Sequence, residues 1–292
     1  MRRIIVWIAI AAILLCGLHY FMLSRKAPTE SYPDDHTLDT IRQKNALIIV
    51  AHDDDAISAA GTIIQLCTAG WMIKELCFYN LDSGRRETDR ILQRQEDARK
   101  VRQIEGLSDF IFFDIPFRRP DTTRKPEYMP LTPAEFVSQY NTDTILYHIR
   151  RLIDENRPSV IFSLDDKIGG YGHPDHVMVS RLVLAECIRR LKDSSFVPEY
   201  IYQSVFTPST AKHILADMPV YRTALAVYGE GMPLPGVQVN IVRVASEKKM
   251  VMNQYSTEQN SIRQIWPYYN YYPAFVYFDL FNREFFKVIR LK

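Results

Sequence analysis

Residues 46–51 read ALIIVA and run directly into His52-Asp53-Asp54-Asp55. A short unbroken apolar run of this kind marks a strand buried on both faces, as in a parallel sheet covered by helices. Working outward, residues 57–69 read as a helix and residues 73–80 as a strand. A charged helix is expected at 90–105 and a strand at 109–114 (DFIFFD). Residues 142–155 read as a helix with Ile145, Ile149, Leu152 and Ile153 on one face, followed by a strand at 159–164 (SVIFSL). Val179, Val183, Cys187 and Leu191 recur every four residues and place another helix after His176. Strands alternating with helices imply right-handed βαβ units, hence an α/β fold built on a doubly wound, mostly parallel, Rossmann-like sheet. After Pro198 the strands shorten and aromatics multiply, so a small antiparallel extension is expected there.

Two further features set the outline of the chain. Residues 4–23 (IIVWIAIAAILLCGLHYFML) carry no formal charge and lie between Arg2, Arg3 and Arg25, Lys26. That is the length of about 20 residues needed to cross a bilayer as a helix, and Trp7 and Tyr20 sit where interfacial aromatics belong. No small-residue cleavage site follows, and Leu15 stands where a lipidation signal at Cys16 would need a small residue. One N-terminal transmembrane helix is expected, with residues 1–26 as anchor, 27–43 as a polar linker containing Pro28 and Pro33, and 44–292 as the catalytic-type domain. A short N-terminal tail left in the cytoplasm would put that domain on the extracytoplasmic side. The 36 basic against 34 acidic residues leave a net charge of +2, which gives no electrostatic footprint for nucleic acid. Cys67, Cys77 and Cys187 fall in apolar elements and read as buried thiols, with no CxxC pair to hold zinc.

In a doubly wound sheet, ligands bind beyond the carboxyl ends of the strands, and two such ends carry dense polar clusters. At the first, three carboxylates and the His52 imidazole crowd together and repel, a conflict that a cation relieves; taken alone the cluster also suits an acidic helix cap. The second is Gly169-Gly170-Tyr171-Gly172-His173-Pro174-Asp175-His176, which opens a helix. Its glycines allow close backbone approach, Pro174 suits a first helical turn, and His173 and His176 lie one turn apart. Together the two clusters supply two or three N/O ligands and spare acid–base groups, the inventory of a catalytic zinc site with an open position.

The segment AHDDDAISAAG (51–61) resembles the AHPDDE…GG motif of the PIG-L/LmbE-like zinc-dependent N-deacetylase family, and GHPDH (172–176) is identical to its second metal motif. Arg94-Gln95-Glu96, then Ala98 and Glu105-Gly106-Leu107, resemble its RxxE…A…LG helix. The resemblance implies that His52, Asp55 and His176 ligate Zn2+, that Asp54 is the general base, that His173 stabilises the oxyanion and protonates the leaving amine, and that Asp175 orients the histidines. It further implies hydrolysis of an N-acetyl amide on an amino-sugar-containing glycan, glycolipid or glycoconjugate. Asp53 stands in place of the family's Pro, and Ala56 in place of its Glu. An unneutralised Asp53 is expected to raise the pKa of Asp54. A zinc amidohydrolase acting on a non-sugar amide, and an inactive membrane-tethered carbohydrate-binding or scaffold protein, are the alternatives. The spare base beside a metal argues against the last.

Arg86, next to Arg85, and Tyr171 are candidate substrate contacts, although a charge run such as RRETDR (85–90) is more often a solvated loop. Trp266-Pro267-Tyr268-Tyr269-Asn270-Tyr271-Tyr272 is expected mainly to pack the C-terminal extension. Ser58 and Ser163 lack a nucleophile elbow, which removes the serine-hydrolase class.

Overall fold

The ALIIV run divides its side chains between two layers, as the two-residue period of a strand requires. In the computed structural model, which describes residues 2–79, 88–121, 123 and 126–292, β1 (Asn45–Val50) turns Leu47 and Ile49 to one face. It turns Ala46, Ile48 and Val50 to the other. The sheet contains β2 (Met72–Tyr79), β3 (Asp109–Asp114), β4 (Val160–Leu164), β5 (Tyr200–Ser204), β6 (Val237–Asn240) and β7 (Arg283–Arg290). Its order is β3-β2-β1-β4-β5-β7-β6. The first five are parallel, with Ala46 opposite Ile73 of β2 and Val160 of β4. β7 runs antiparallel to both β5 and β6. The antiparallel extension expected after Pro198 is therefore present and continues the same sheet.

Helices cover both faces. Thr142–Asn156 and Pro174–Arg189 bury Ile145, Ile149, Leu152, Ile153, Val179, Val183 and Cys187 against the Leu47/Ile49 side. Leu191, assigned to that repeat from spacing, lies beyond the end of the helix and is 41% exposed. On the opposite face Ala60–Thr68 supplies Ile63 and Leu66, and Ala245–Gln254 supplies Val251 and Met252 to an adjoining cluster. Cys77 and Cys187 are buried free thiols, and Cys67 is half-buried.

The chain leaves β1 toward β2 and β3 on one side and returns at β4 on the other. The crevice between the ends of β1 and β4 is thus the point where strand order reverses, the place where α/β sheets bind ligands. The N-terminal helix Arg2–Ser24 stands apart from these layers: its apolar side chains are exposed almost to its last turn. It is the one helix among the described residues long and apolar enough to span a membrane.

Candidate functional site

Both polar clusters reach that crevice. Asp55 folds back over the end of β1, and its Oδ2 accepts the backbone N–H groups of Ala51 (3.1 Å) and His52 (2.8 Å). This turns Oδ1 outward, 3.0 Å from His176 Nε2 and 3.7 Å from His52 Nδ1. The two ring nitrogens are themselves 3.0 Å apart.

The outer nitrogens of both rings have partners. His176 Nδ1 lies 3.0 Å from the carbonyl oxygen of Gly169, and His52 Nε2 lies 3.2 Å from Asp175 Oδ2. Each is therefore the protonated nitrogen, which leaves lone pairs on His52 Nδ1 and His176 Nε2 facing one another beside a carboxylate oxygen. Three lone pairs converging on one point are unfavourable without a cation and suit a divalent metal with one, so these residues fit the metal implied by the motifs. His173 adds a third imidazole: one ring nitrogen from each of His52, His173 and His176 lies within 4.8 Å of the others. Its ring stacks on His176 at 4.7 Å between centroids.

The Gly-rich turn exists to seat His176. Gly169 has φ +59°, and a Cβ there would stand 2.6 Å from His176 Cβ and 2.8 Å from the Val177 nitrogen. Gly172 has φ +107°, with Ala224 Cβ 2.5 Å from where its own Cβ would be. Both positions demand glycine. Buried Asp165, just past β4, accepts from the backbone N–H groups of Lys167 (3.0 Å), Ile168 (2.7 Å) and Gly170 (2.7 Å) and so fixes the turn. Sequence reasoning passed over Asp165; a lone Asp after a strand was the only available signal.

The Asp175 carboxylate lies 4.0 Å from His173 Nδ1 but 3.2 Å from His52 Nε2, so it orients His52 directly. His173 is held instead by the Asp175 backbone, whose N–H donates to His173 Nδ1 at 3.2 Å. Arg118 Nη1 (2.7 Å) and the Tyr140 hydroxyl both donate to Asp175 Oδ1. Although burial opposes ionisation, the hydrogen bond from His52 and the Arg118 guanidinium hold the Asp175 carboxyl well below the usual range. Burial pushes His173 well below the usual imidazole value and keeps it neutral.

Asp53 and Asp54 differ in their surroundings. Asp53 is fully buried and is paired with Arg94 of the Thr88–Glu105 helix. The Tyr255 hydroxyl donates to the Asp53 carbonyl at 2.5 Å. The charge that replaces the family's Pro is thus answered by a guanidinium, which also lies 3.3 Å from Asp54 Oδ1 and contacts Glu258. Burial still raises the Asp54 carboxyl to about 6, with Asp53, Asp55 and Glu258 adding to it against Arg94. On the same helix the motif reading placed Glu96, yet Glu96 pairs with Arg99 at the surface. Its neighbour Asp97 is the buried carboxylate, accepting from the Ser256 backbone N–H (2.9 Å) and hydroxyl (2.7 Å).

Asp54, Asp55 and His176 open into a pocket walled by Ile57, Leu164, Tyr171, Phe206, Ile262 and Trp266. Tyr171 meets the edge of the His176 ring at 5.1 Å. Arg85 and Arg86 lie outside the described residues.

Residues 47–187 match the model of the PIG-L family, described as GlcNAc-PI de-N-acetylase. A 1D-myo-inositol 2-acetamido-2-deoxy-alpha-D-glucopyranoside deacetylase from Thermobifida fusca is 44% identical over 46 residues, which is 16% of this chain and 16% of that protein. Among solved structures, N,N'-diacetylchitobiose deacetylase from Pyrococcus horikoshii superposes with a TM-score of 0.51 at 14% identity, over 88% of this chain and 90% of that one. GalB, the 4-carboxy-2-hydroxymuconate hydratase of Pseudomonas putida, superposes with a TM-score of 0.52 at 13% identity, over 84% of this chain and 96% of that one. At such identities these two likenesses speak for the fold, which the deacetylase and the hydratase share. The sheet, the two motifs and the family match agree: residues 47–187, just under half of the chain, match the PIG-L family, and the sheet they begin continues beyond them to β7.

Proposed function

We propose that the protein is a membrane-anchored, metal-dependent hydrolase that removes an N-acetyl group from an amino-sugar-containing glycan, glycolipid or glycoconjugate. The observation that carries this reading is the convergence of His52 Nδ1, His176 Nε2 and Asp55 Oδ1, with the Asp54 carboxylate in the same pocket. These three residues would hold the metal, Zn2+ by family resemblance. When bound, a divalent cation at this point polarises an amide carbonyl and acidifies nearby water.

The remaining steps belong to the chain's own groups. Asp54 accepts a proton from the attacking water as its oxygen bonds to the acetyl carbon. His173, whose Nδ1 already accepts a hydrogen bond, carries its proton on Nε2 and donates toward the carbonyl oxygen as charge develops there. Because neutral His173 carries a single proton, the sugar nitrogen takes instead the proton collected by Asp54; the C–N bond then breaks, giving acetate and a free amine. Asp175, fixed by Arg118 and Tyr140, holds the His52 ring in register. The aromatic wall at Tyr171, Phe206 and Trp266 suits a sugar ring.

The anchor is the N-terminal helix within residues 1–26, residues 27–43 join it to the domain at 44–292, and the domain faces the extracytoplasmic side. Acetate release from N-acetylglucosaminides, set beside release from non-sugar acetamides, tests the activity. The proposal expects turnover of the former; turnover confined to non-sugar amides would reassign the substrate class, and none with either would refute hydrolysis.

A further inference from the structure

The N-terminal helix does not leave the domain at a random point. Leu23 and Ala27 are buried in the same hydrophobic cluster as Ile262 and Ile265, with Phe206, Trp266 and Tyr272 packed against it. One turn earlier, His19 bonds the Tyr272 hydroxyl at 2.5 Å, and its ring meets Tyr268 edge-on at 4.7 Å. Tyr20 also meets Tyr272, at 6.3 Å between ring centroids. Lys26 donates to the His213 carbonyl at 2.9 Å. The base of the helix is therefore joined to the domain by side-chain contacts as well as by the chain.

These contacts lie at the site end of the sheet. Thr29 and Glu30 bond Ser209, just beyond the end of β5. The chain then descends the sheet, until Gln43 and Lys44 reach the carbonyls of Arg157 and Ala69 beside the strand starts. The helix thus emerges where the strands end and the pocket opens. Ile262, Ile265 and Trp266 belong both to the pocket wall and to the apolar body around the helix base.

Residues 4–23 span about 30 Å as a helix, the thickness of a bilayer core. His19 and Tyr20 lie within about 6 Å of the end of that run, so whatever they touch lies at the edge of the apolar core, next to the headgroups. What they touch continues into exposed aromatics. Tyr268 lies 6.2 Å from the ring of Tyr271, which is 71% exposed, and Phe275, three residues beyond Tyr272, is 76% exposed. Tyrosine at that depth is favoured, with its ring in the apolar edge and its hydroxyl in the wet layer.

Taking the helix as a membrane anchor, as proposed above, we infer that residues 268–275 and the last two turns of that helix form one bilayer-docking surface, which turns the pocket mouth toward the headgroup layer. The occupant of the exposed aromatic patch is lipid, because the helix that enters the bilayer is welded to that patch.

Nitroxide scanning of the full chain in phosphatidylcholine vesicles tests this. In a Cys16→Ala, Cys67→Ala background, labels are placed by Tyr271→Cys and Phe275→Cys on the patch and by Ile13→Cys in the helix. A fourth, Met72→Cys, marks the opposite end of the sheet, where Met72 is 66% exposed. The ratio of oxygen to nickel-chelate accessibility at 271 and 275 is expected to exceed that at 72 severalfold and to approach that at 13. A membrane-like ratio at 13 with aqueous ratios at 271 and 275 would overturn the docking surface and leave the anchor standing. An aqueous ratio at 13 would remove the anchor and the inference with it. Labels at 271 and 275 shielded from both reagents and broadened by spin–spin coupling would mean that a second copy covers the patch, which also overturns the inference.

Discussion

Asp53 departs from the family motif, and its charge is accommodated by a residue 41 positions later in the sequence. Arg94 is 7% exposed and faces Asp53, Asp54 and Glu258, so removing it strands buried Asp53 and half-buried Asp54, while Glu258 keeps Arg90 at 2.9 Å. Arg94→Met is expected to cost about 3–5 kcal/mol, read as a fall in denaturant midpoint, and Arg94→Lys should recover only part because a single ammonium cannot reach all three. Asp54→Asn keeps the shape of the site and removes the proposed base. It should lower the rate about 10²–10⁴-fold while metal content stays at the wild-type level; loss of metal in that variant would make Asp54 a ligand and not the base. His52, Asp54, Asp55, His173 and His176 were legible in the sequence because charge conflict and glycine spacing mark them locally. Arg118, Tyr140 and Asp165 were not, since each meets the site through a contact that only the folded sheet creates. Helical phase explains the confusion of Glu96 with Asp97: three residues after Arg94 is Asp97, on the same buried face.

At the level of elements, the site depends on the turn between β4 and the Pro174–Arg189 helix. Gly169→Ala puts a methyl 2.6 Å from His176 Cβ at a left-handed φ. The helix start must shift, and with it the ring nitrogen that faces Asp55. Metal affinity is expected to fall about 10–100-fold, as for loss of a partner that orients a ligand, while circular dichroism stays close to wild type. Unchanged affinity, measured by competition with a chelator, would show that the turn merely connects. Strand and helix positions in the first two-thirds of the chain were readable because a buried parallel sheet alternates long apolar runs with amphipathic helices. The last third was read more coarsely: β6 has four residues and is mostly half-exposed, β7 is half-exposed over its second half, and the step that sets β7 antiparallel to β5 and β6 is fixed by long-range pairing.

Across the whole molecule, buried acids beneath the site set a pH dependence of stability. Burial, then Glu284, pushes Glu105 up to about 8 against the pull of Lys248. Glu75 is fully buried with neither oxygen bonded among the described residues, and burial, then Glu105, raises it well above the usual range. A carboxyl with a raised folded-state pKa binds its proton more tightly when folded. Its contribution is therefore complete below the unfolded value near 4.5 and is lost as pH climbs toward 8, at about 1.4 kcal/mol per unit for each such group. Glu105→Gln should flatten the decline in melting temperature between pH 5 and pH 8 (about the two pKa limits); an unchanged slope would place the titrating acid elsewhere.

Every role proposed for the site depends on a metal held between the ends of β1 and β4. The most direct measurement is the metal content of the full-length chain, purified in detergent after equilibration with zinc, beside His176→Ala. One tightly held ion per chain in the wild type, lost in a variant that keeps its secondary structure, is the predicted result. A folded wild-type chain that retains no metal would contradict the account.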